Sequence, residues 1–490
     1  MPASDVTKAD TATEHQGRRR ARVALVCGDG LPVSGLLTIF RNIVDLVRAE
    51  CGGIEFPITA DLGYSWRPDK AVFYPSGAPG LGYPQWLEVT DATPVPDHPG
   101  LAEEWLGLRA DIERAHELTP DERAAVTARI EELAAPYEEY FLSWLEKEQI
   151  DWMVGVNMTL SDATPVTLAL HRAAAAYWSD GRPGGLILWD HDLFGSYSVH
   201  EGETRVYPQA PNVFTPVPVA PQRWVVPTQQ LQDEGRSYPT ELEPTLIPYV
   251  LPRRPQGPLR ARHEEFLAQQ GIEPDRPVVL VPVRVFRVKG VEVAVRLFAG
   301  LMRECERRGD PHPVLAVFGS LQEDPDYSRE VLATVEAEGI GDAVRFLGGV
   351  PLTSNQDEAG TWRLDEVDLL HVAKATAGGV FYTPNRPDVE SVGLGPALAA
   401  AACLPFAATV YNALDGVYGP GWRYVRIADT GDLDKAARQF ADLLAAHRAA
   451  DPALEADLEH NAAQARHVFP DEPCLRFVRG LGSALSPGSR

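Results

Sequence analysis

The fold of this chain is decided by the stretch Glu390-Ser391-Val392-Gly393-Leu394-Gly395-Pro396-Ala397-Leu398, which continues through an all-alanine run to Cys403-Leu404-Pro405-Phe406-Ala407-Ala408-Thr409. One carboxylate precedes a glycine-rich turn, an apolar helix follows the turn, and a short strand closes the unit. Backbone N–H groups are unpaired at the start of a helix, and the helix dipole favours negative charge there. The pattern therefore predicts a site for an anion or a sugar at this helix N-terminus.

The order of strand, turn and helix recurs along most of the chain. Short runs rich in Val, Ile and Leu alternate with segments of helical periodicity, which is typical of a parallel sheet covered by helices. Strands are predicted at 23–28, 151–156, 186–189, 224–228, 246–250, 278–283, 314–318, 344–349, 379–382, 406–409 and 424–426. The predicted fold class is α/β, with two Rossmann-like, doubly wound domains that face a central cleft.

A Pro- and Arg-rich segment at 252–258 interrupts the alternation and marks a domain boundary. The predicted organisation is a disordered tail at 1–21, an N-terminal Rossmann-like domain at 22–252, a C-terminal Rossmann-like domain at 253–468, and a C-terminal extension at 469–490. The segment 53–100 is predicted to contain strands and long loops, with exposed aromatic rings at Tyr64, Trp66, Tyr74 and Trp86.

Composition narrows the class of protein. The chain has 490 residues and a formal net charge of −24, which argues against a nucleic acid or an anionic membrane as partner because both require a basic face. The five cysteines are widely spaced and contain no CxxC pair, which favours a reducing cytoplasm over a disulfide framework. No apolar run is long enough to span a bilayer. The oligomeric state is left open.

The first candidate group follows the strand at 278–283. Arg284 and Lys289 precede Gly290, which opens a helix, and two cations beside a helix N-terminus suit a diphosphate. Arg287 could serve in place of Arg284. The alternative is that these are surface cations on a connecting loop.

The second candidate is His191, which follows the strand at 186–189 and is flanked by Asp190 and Asp192. An imidazole at a strand end can bond a substrate hydroxyl or donate a proton. The alternative is a structural histidine bonded to a neighbouring aspartate. A metal is discounted because no second histidine is close in sequence.

The third candidate is Glu390, whose carboxylate can accept hydrogen bonds from the hydroxyls of a sugar. The alternative is a carboxylate that satisfies backbone donors near a helix start. The chain has no nucleophile elbow and no GxGxxG, so hydrolase chemistry and dinucleotide binding are not indicated.

Together these segments resemble the family-4 retaining glycosyltransferases. The resemblance rests on Arg284 with Lys289-Gly290, on Phe346-Leu347-Gly348-Gly349-Val350, on the 390–409 stretch, on His191, on Gly35 and on Ile247-Pro248. It implies the GT-B fold, a nucleoside diphosphate sugar as donor (UDP, GDP or dTDP linked) and no metal requirement.

The resemblance also implies roles for individual residues. Catalytic roles fall to His191, Arg284, Lys289 and Glu390. Donor contacts fall to Gly290, Gly319, Gly349, Val350, Ser391, Gly393 and Leu394, and acceptor contacts to Ser34, Gly35, Asn157 and Asp192. The implied function is retaining transfer of a sugar or sugar-like cyclitol to a small-molecule acceptor, in bacterial natural-product or oligosaccharide biosynthesis.

The sequence departs from the family pattern at the donor turn. Leu398 stands where the family has its second glutamate. Val392 replaces the aromatic residue of the family pattern, and Cys403 replaces the glycine before Pro405. Asn385, Arg386 or Asp388 could replace the missing polar contact to the donor ribose. Three alternatives stay open: a pseudo-glycosyltransferase that forms a C–N link from a nucleotide-activated cyclitol, a phosphorylase, and a non-catalytic nucleotide-binding regulatory partner.

Overall fold

A computed structural model describes residues 20–28, 35–63, 66, 83–90, 100–193, 213–219, 222–388 and 390–485. The strands of its first sheet are β1 (Val23–Cys27), β2 (Ile58–Asp61), β3 (Leu87–Thr90), β4 (Trp152–Val156), β5 (Gly185–Trp189), β6 (Arg223–Val226) and β7 (Thr245–Leu246). They pair in the order β3-β2-β1-β4-β5-β6-β7, and every pair is parallel.

The second sheet is also parallel. It contains β8 (Val278–Val281), β9 (Val314–Val317), β10 (Val344–Phe346), β13 (Gly379–Tyr382), β14 (Phe406–Thr409) and β15 (Val425–Ile427), in the order β10-β9-β8-β13-β14-β15. A small antiparallel pair, β11 (Asn355–Gln356) with β12 (Trp362–Arg363), lies outside it. The predicted α/β class, with two parallel sheets, is confirmed.

Helices connect the strands and cover the sheets. They are α1 (Gly35–Glu50), α2 (Leu101–Glu113), α3 (Pro120–Glu148), α4 (Thr164–Tyr177), α5 (Gln229–Gly235), α6 (Ala261–Gln269), α7 (Val291–Arg308), α8 (Pro325–Ala337), α9 (Glu366–Ala375), α10 (Gly395–Ala402), α11 (Asp434–Arg448), α12 (Pro452–Val468) and α13 (Glu472–Ala484). The central strands β1, β4, β5, β8, β9, β13 and β14 are buried along their whole length.

Two predictions about local structure are wrong. The strand expected at 246–250 ends at Leu246, two residues before Pro248, whose nitrogen cannot donate to a ladder. Trp66 and Trp86 are 1% and 5% exposed rather than open to solvent. The indole N–H of Trp66 donates to Asp61 at 3.1 Å, which lets the ring be buried with its polar group satisfied. Tyr64 and Tyr74 lie outside the described residues.

The last helix returns to the first sheet. The Phe477 ring on α13 meets the Trp189 ring at the end of β5 edge-on, with centroids 5.9 Å apart. Cys474, Val478 and Leu481 of the same helix are buried. A second connection between the two halves is an ion pair of Arg41 on α1 with Glu366 on α9, 3.2 Å apart and almost fully buried.

The five cysteines are free thiols, four of them buried. Among the described residues, no helix combines the length and the apolar character that a membrane crossing requires.

Candidate active site

Two loops at the carboxyl ends of β8 and β13 are joined to each other by hydrogen bonds. The Thr383 hydroxyl donates to the Gly290 carbonyl at 2.9 Å, and the Asn385 amide donates to the Arg287 carbonyl at 2.6 Å. Gly290 has φ +61°, and a Cβ there would lie 1.9 Å from the Thr383 carbonyl oxygen. Only glycine fits this position, so the start of α7 is fixed against the loop that leads to Glu390.

This junction brings Lys289 and Glu390 into contact. The Lys289 ammonium lies 2.7 Å from Oε1 of Glu390, and the two side chains are 27% and 8% exposed. The Tyr382 hydroxyl, from the end of β13, also donates to the Glu390 carboxylate. Two residues that were predicted to share one site thus share a direct ion pair, although neither pattern in the sequence predicted the contact.

Tyrosines surround the turn that follows Glu390. The hydroxyls of Tyr411 and Tyr418 donate to the Gly393 carbonyl at 3.1 and 2.6 Å. Burial, and then the negative charge of Glu390, raise the pKa of Tyr382 well above its usual range. The hydroxyls are therefore neutral donors at any physiological pH, and they hold the turn without competing for its N–H groups.

Two N–H groups of this turn have no partner among the described residues. Those of Gly393 and Leu394 donate no hydrogen bond to any residue the structure describes. Gly393 has φ +71°, and a Cβ there would lie 2.7 Å from the Tyr411 hydroxyl. The turn therefore presents two backbone donors directly beside a buried carboxylate, which is suited to a ligand that carries both acceptors and hydroxyls.

His191 lies on the other side of the cleft and is 2% exposed. Its Nδ1 is 3.2 Å from the Tyr249 hydroxyl, and the two rings are stacked with centroids 5.3 Å apart. Burial lowers the pKa of His191 to about 3, so the imidazole is neutral. The alternative of a histidine bonded to a neighbouring aspartate is wrong, because the partner is Tyr249.

Nε2 of His191 is buried and has no hydrogen-bond partner among the described residues. When the Tyr249 hydroxyl donates to Nδ1, Nε2 carries the proton and can donate to a ligand; when Nδ1 donates to Tyr249, Nε2 is an acceptor. In either tautomer a buried polar nitrogen lacks a partner, which is costly unless a ligand supplies one.

Tyr249 connects the two halves of the site. Burial raises its pKa well above the usual range, and the nearby negative charges of Asp192 and Glu390 raise it further. These influences place the end of β5 and the Glu390 turn around one tyrosine. Sequence reasoning missed Tyr249 itself, although it directly follows the Ile247-Pro248 pair on which part of the resemblance rests.

The two arginines of the β8 loop have different partners. Arg284 donates from Nε to Glu323, whose side chain is 1% exposed, and so keeps its outer nitrogens for other contacts. Arg287 forms a two-point pair with Glu330 on α8 at 2.7 and 2.8 Å, near the surface. Gly319 packs against the Arg284 backbone, since a Cβ there would lie 2.7 Å from Cα of Arg284.

The predicted acceptor residues lie at the first sheet. Gly35 is the exposed first residue of α1, where an added Cβ would meet no described atom within 4 Å, and Ser34 lies outside the described residues. Asn157 has φ +54°, and its amide oxygen accepts from the N–H groups of His191 and Asp192 at 2.6 and 3.3 Å. Asn157 therefore positions the His191 loop, and its contact with an acceptor stays a prediction.

The remaining donor residues lie on two separate loops, one after β10 and one directly after Glu390. Gly349 bonds through its N–H to the Phe318 carbonyl at 2.9 Å, and Val350 is half-buried beside it. Ser391 is half-buried next to Glu390, and Leu398 on α10 is 5% exposed. Leu398 thus belongs to the apolar core, and no carboxylate takes its place on this helix.

Asp190 is a second buried carboxylate, just before His191. It is fully buried, accepts from the Trp224 indole N–H at 2.9 Å, and burial raises its pKa to about 7. In the part of the chain that the structure describes, no three His, Cys, Asp or Glu side chains are grouped so that they could hold a metal. Metal independence stays a prediction.

Two parallel sheets joined and covered by helices are the architecture of the GT-B fold, and solved structures show the same arrangement. The chain is similar to sucrose-phosphate synthase from Thermosynechococcus elongatus, with a TM-score of 0.54, 15% identity, and coverage of 95% of this chain and 99% of the other. It is equally similar to a glycosyltransferase from Rickettsia africae, with a TM-score of 0.54, 9% identity, and coverage of 96% and 100%.

A third similar structure is HepE of Anabaena in complex with UDP and glucose, with a TM-score of 0.51, 15% identity, and coverage of 95% and 100%. No family model matches the sequence, and no curated protein matches it either. At these identities the likeness establishes the fold, and the GT-B prediction is confirmed.

Proposed function

We propose that this protein is a metal-independent, retaining glycosyltransferase that moves a sugar or sugar-like cyclitol from a nucleoside diphosphate to a small-molecule acceptor. The observation that carries the proposal is the junction of Lys289 with Glu390, beside the free N–H groups of Gly393 and Leu394. A cation, a buried carboxylate and two backbone donors at one turn match the diphosphate and hydroxyls of a nucleotide sugar.

The diphosphate would bind at the start of α7. Lys289 and the outer nitrogens of Arg284 would oppose the charge that grows on the leaving group as the bond to the sugar breaks, which is the largest electrostatic task of the reaction. Glu323 would hold Arg284 in place through its Nε. Because Lys289 pairs with Glu390, donor binding would separate them, with Lys289 bonding the phosphate and Glu390 accepting from the sugar hydroxyls.

The transferred sugar would lie between Glu390 and His191. The neutral imidazole, with Nε2 free and buried, would bond a hydroxyl of the sugar, and Tyr249 would fix the ring. The acceptor would approach from the first sheet, past Gly35 and Asp192. An oxygen of the leaving phosphate would take the acceptor proton, so that the reaction needs no separate base.

Binding and turnover test the proposal separately. Isothermal titration with UDP, GDP and dTDP is expected to show binding of at least one of them, and failure of all three would overturn the proposal. Arg284→Ala is expected to lower transfer at least a hundredfold, while Arg287→Ala, in the same loop but paired with Glu330, changes it less than threefold. A larger loss of transfer in Arg287→Ala than in Arg284→Ala would show that Arg287, not Arg284, contacts the diphosphate.

The buried Leu398 favours one second candidate, a pseudo-glycosyltransferase acting on a nucleotide-activated cyclitol. With an apolar residue where the family has its second carboxylate, donor recognition rests on fewer polar contacts, and a donor unlike an ordinary nucleotide sugar becomes acceptable. Products from hexose and cyclitol donors, compared by mass spectrometry and NMR, distinguish an O-glycoside from a C–N link.

A further inference from the structure

A cavity lies between the edge of the first sheet and α13. Its volume is about 420 Å³, within the range of small-ligand pockets. It is lined by residues of β6, of the segment 242–247 and of α13, among them Arg223, Leu242, Ile247, Arg476, Phe477 and Gly480.

The cavity contains an arginine without an acidic partner. The Arg223 guanidinium lies 4.8 Å from the Trp152 ring and 5.8 Å from the Phe477 ring, so two aromatic faces hold it in place. Within the residues that the structure describes, its side chain forms no ion pair and no hydrogen bond. Burial lowers its pKa, in keeping with a cation that has lost water and gained no counter-ion.

The other groups around the cavity favour an anion with an apolar body. Arg476, which directly precedes Phe477 on α13, has a side chain that is 75% exposed and lies 3.8 Å from Glu472, so it can turn toward a ligand. Leu242, Ile247 and Phe477 supply apolar walls. Glu243 also lines the cavity, but it is exposed and does not pair with Arg223.

We propose that this cavity is a binding site for a small carboxylate or phosphate ester that carries a compact apolar group. The anion would bind in two-point fashion to Arg223, whose five N–H donors suit the planar oxygens of such a ligand, and the apolar group would contact Phe477. Desolvating a cation without an opposite charge is unfavourable, and the ligand would remove that penalty.

The cavity is placed to influence the first sheet. Phe477 forms one wall and also packs on Trp189, two positions before His191. An occupant would therefore fix α13 against the strand end that carries the imidazole. The site does not depend on the proposed function, since Arg223 lies outside the donor turn.

Benzoate and phenyl phosphate are suitable probes, and benzamide is the matched neutral control. Isothermal titration of the full chain is expected to show binding of at least one anion and none of benzamide. Arg223→Gln is expected to weaken that binding tenfold or more, whereas Arg236→Gln, an exposed arginine paired with Asp233, leaves it unchanged. Equal binding of benzamide, or an unchanged affinity in Arg223→Gln, would overturn the proposal.

Gly480→Leu provides a variant that keeps Arg223. A Cβ at Gly480 meets no atom within 4 Å, so leucine fits the helix and projects into the cavity it lines. This variant is expected to fold and to lose anion binding. Arg284→Ala distinguishes this cavity from the donor site. Anion binding that persists in Arg284→Ala supports the assignment to the cavity. Anion binding that disappears belongs to the donor site and overturns the assignment.

Discussion

Lys289 and Glu390 are 101 positions apart in the chain, and their charged groups lie 2.7 Å apart. The contact exists because β8 and β13 are neighbours in the second sheet, so the loops after them leave the same edge. The Glu390 side chain is 8% exposed, and its charge is balanced by one ammonium and one tyrosine hydroxyl. The ion pair that joins the two loops is thus formed by the same two side chains that we propose bind the donor.

Lys289→Met is expected to lower the free energy of unfolding by about 1–3 kcal/mol, because Glu390 is left buried without its counter-ion. The Lys289→Met/Glu390→Gln double variant should recover most of this loss, since neither charge remains. Urea unfolding of the wild type, both single variants and the double variant measures the coupling. Additive losses would show that the pair contributes nothing to stability.

The two glycines that flank α7 form a matched pair. Gly290 and Gly309 have φ +61° and +73°, but a Cβ at Gly290 would lie 1.9 Å from the Thr383 carbonyl, whereas Gly309 has open space. Gly309→Ala is expected to lower the free energy of unfolding by about 1–2 kcal/mol, because alanine is strained in the left-handed conformation. Gly290→Ala should cost about 3 kcal/mol or more, because the backbone must also move.

Thermal and urea unfolding of both alanine variants test this difference. If Gly290→Ala proves no worse than Gly309→Ala, the two loops are not fixed to each other as described. A folded Gly290→Ala variant should also bind nucleoside diphosphates more weakly than Gly309→Ala does.

Tyr249→Phe is expected to lower kcat about tenfold and to change the donor KM little. The phenyl ring still stacks on His191, but Nδ1 loses its hydrogen-bond partner at 3.2 Å, so the orientation of the imidazole is less well fixed. Steady-state kinetics measure both constants. Tyr424→Phe, which removes a hydroxyl next to the edge strand β15, is the control and should leave kcat unchanged; an equal effect of both variants would contradict the role of Tyr249.

Asp190 predicts a pH dependence of stability. Burial raises its pKa from 3.8 to about 7, so between these values the folded chain holds a proton that the unfolded chain releases. The free energy of unfolding therefore falls as pH rises through this window, by at most about 1.4 kcal/mol per pH unit. Above pH 7 both states are ionised and this contribution no longer changes.

Asp190→Asn removes the titration and keeps an oxygen that can accept from the Trp224 indole. Relative to the wild type, the variant should be more stable at pH 8 than at pH 5, by on the order of 2 kcal/mol. Urea unfolding of both proteins at the two pH values gives the difference. The same relative stability at pH 5 and pH 8 would show that Asp190 does not change its charge there.

The strands of the second sheet were predictable because they are buried on both faces. Runs such as 379–382 and 406–409 are short, apolar and bounded by Gly, Pro or polar residues, and they match β13 and β14 residue for residue. Lys289 and Glu390 lie in loops that follow such strands, so the topology of a parallel sheet predicts that the two residues lie near each other. The ion pair itself did not, because a pairing distance depends on loop conformation.

The tyrosines around the turn were not predictable from local patterns. Tyr249 follows β7, whereas Tyr411 and Tyr418 lie between β14 and β15, and a single tyrosine in a loop has no periodicity to reveal it. Trp66 was misjudged for a related reason. A polar, glycine-rich context suggested exposure, but a hydrogen bond to Asp61, five residues earlier, allows the ring to be buried.

The return of α13 to the first sheet also has a consequence for biosynthesis. Val23–Cys27 and Trp189 leave the ribosome before α13, so Trp189 gains its contact with Phe477 only after residues 472–484 have been made. Until then the faces that receive Cys474, Val478 and Leu481 stay open. The first half of the chain must therefore wait, partly uncovered, through the synthesis of the whole second half, and such a nascent chain is a natural client for a chaperone.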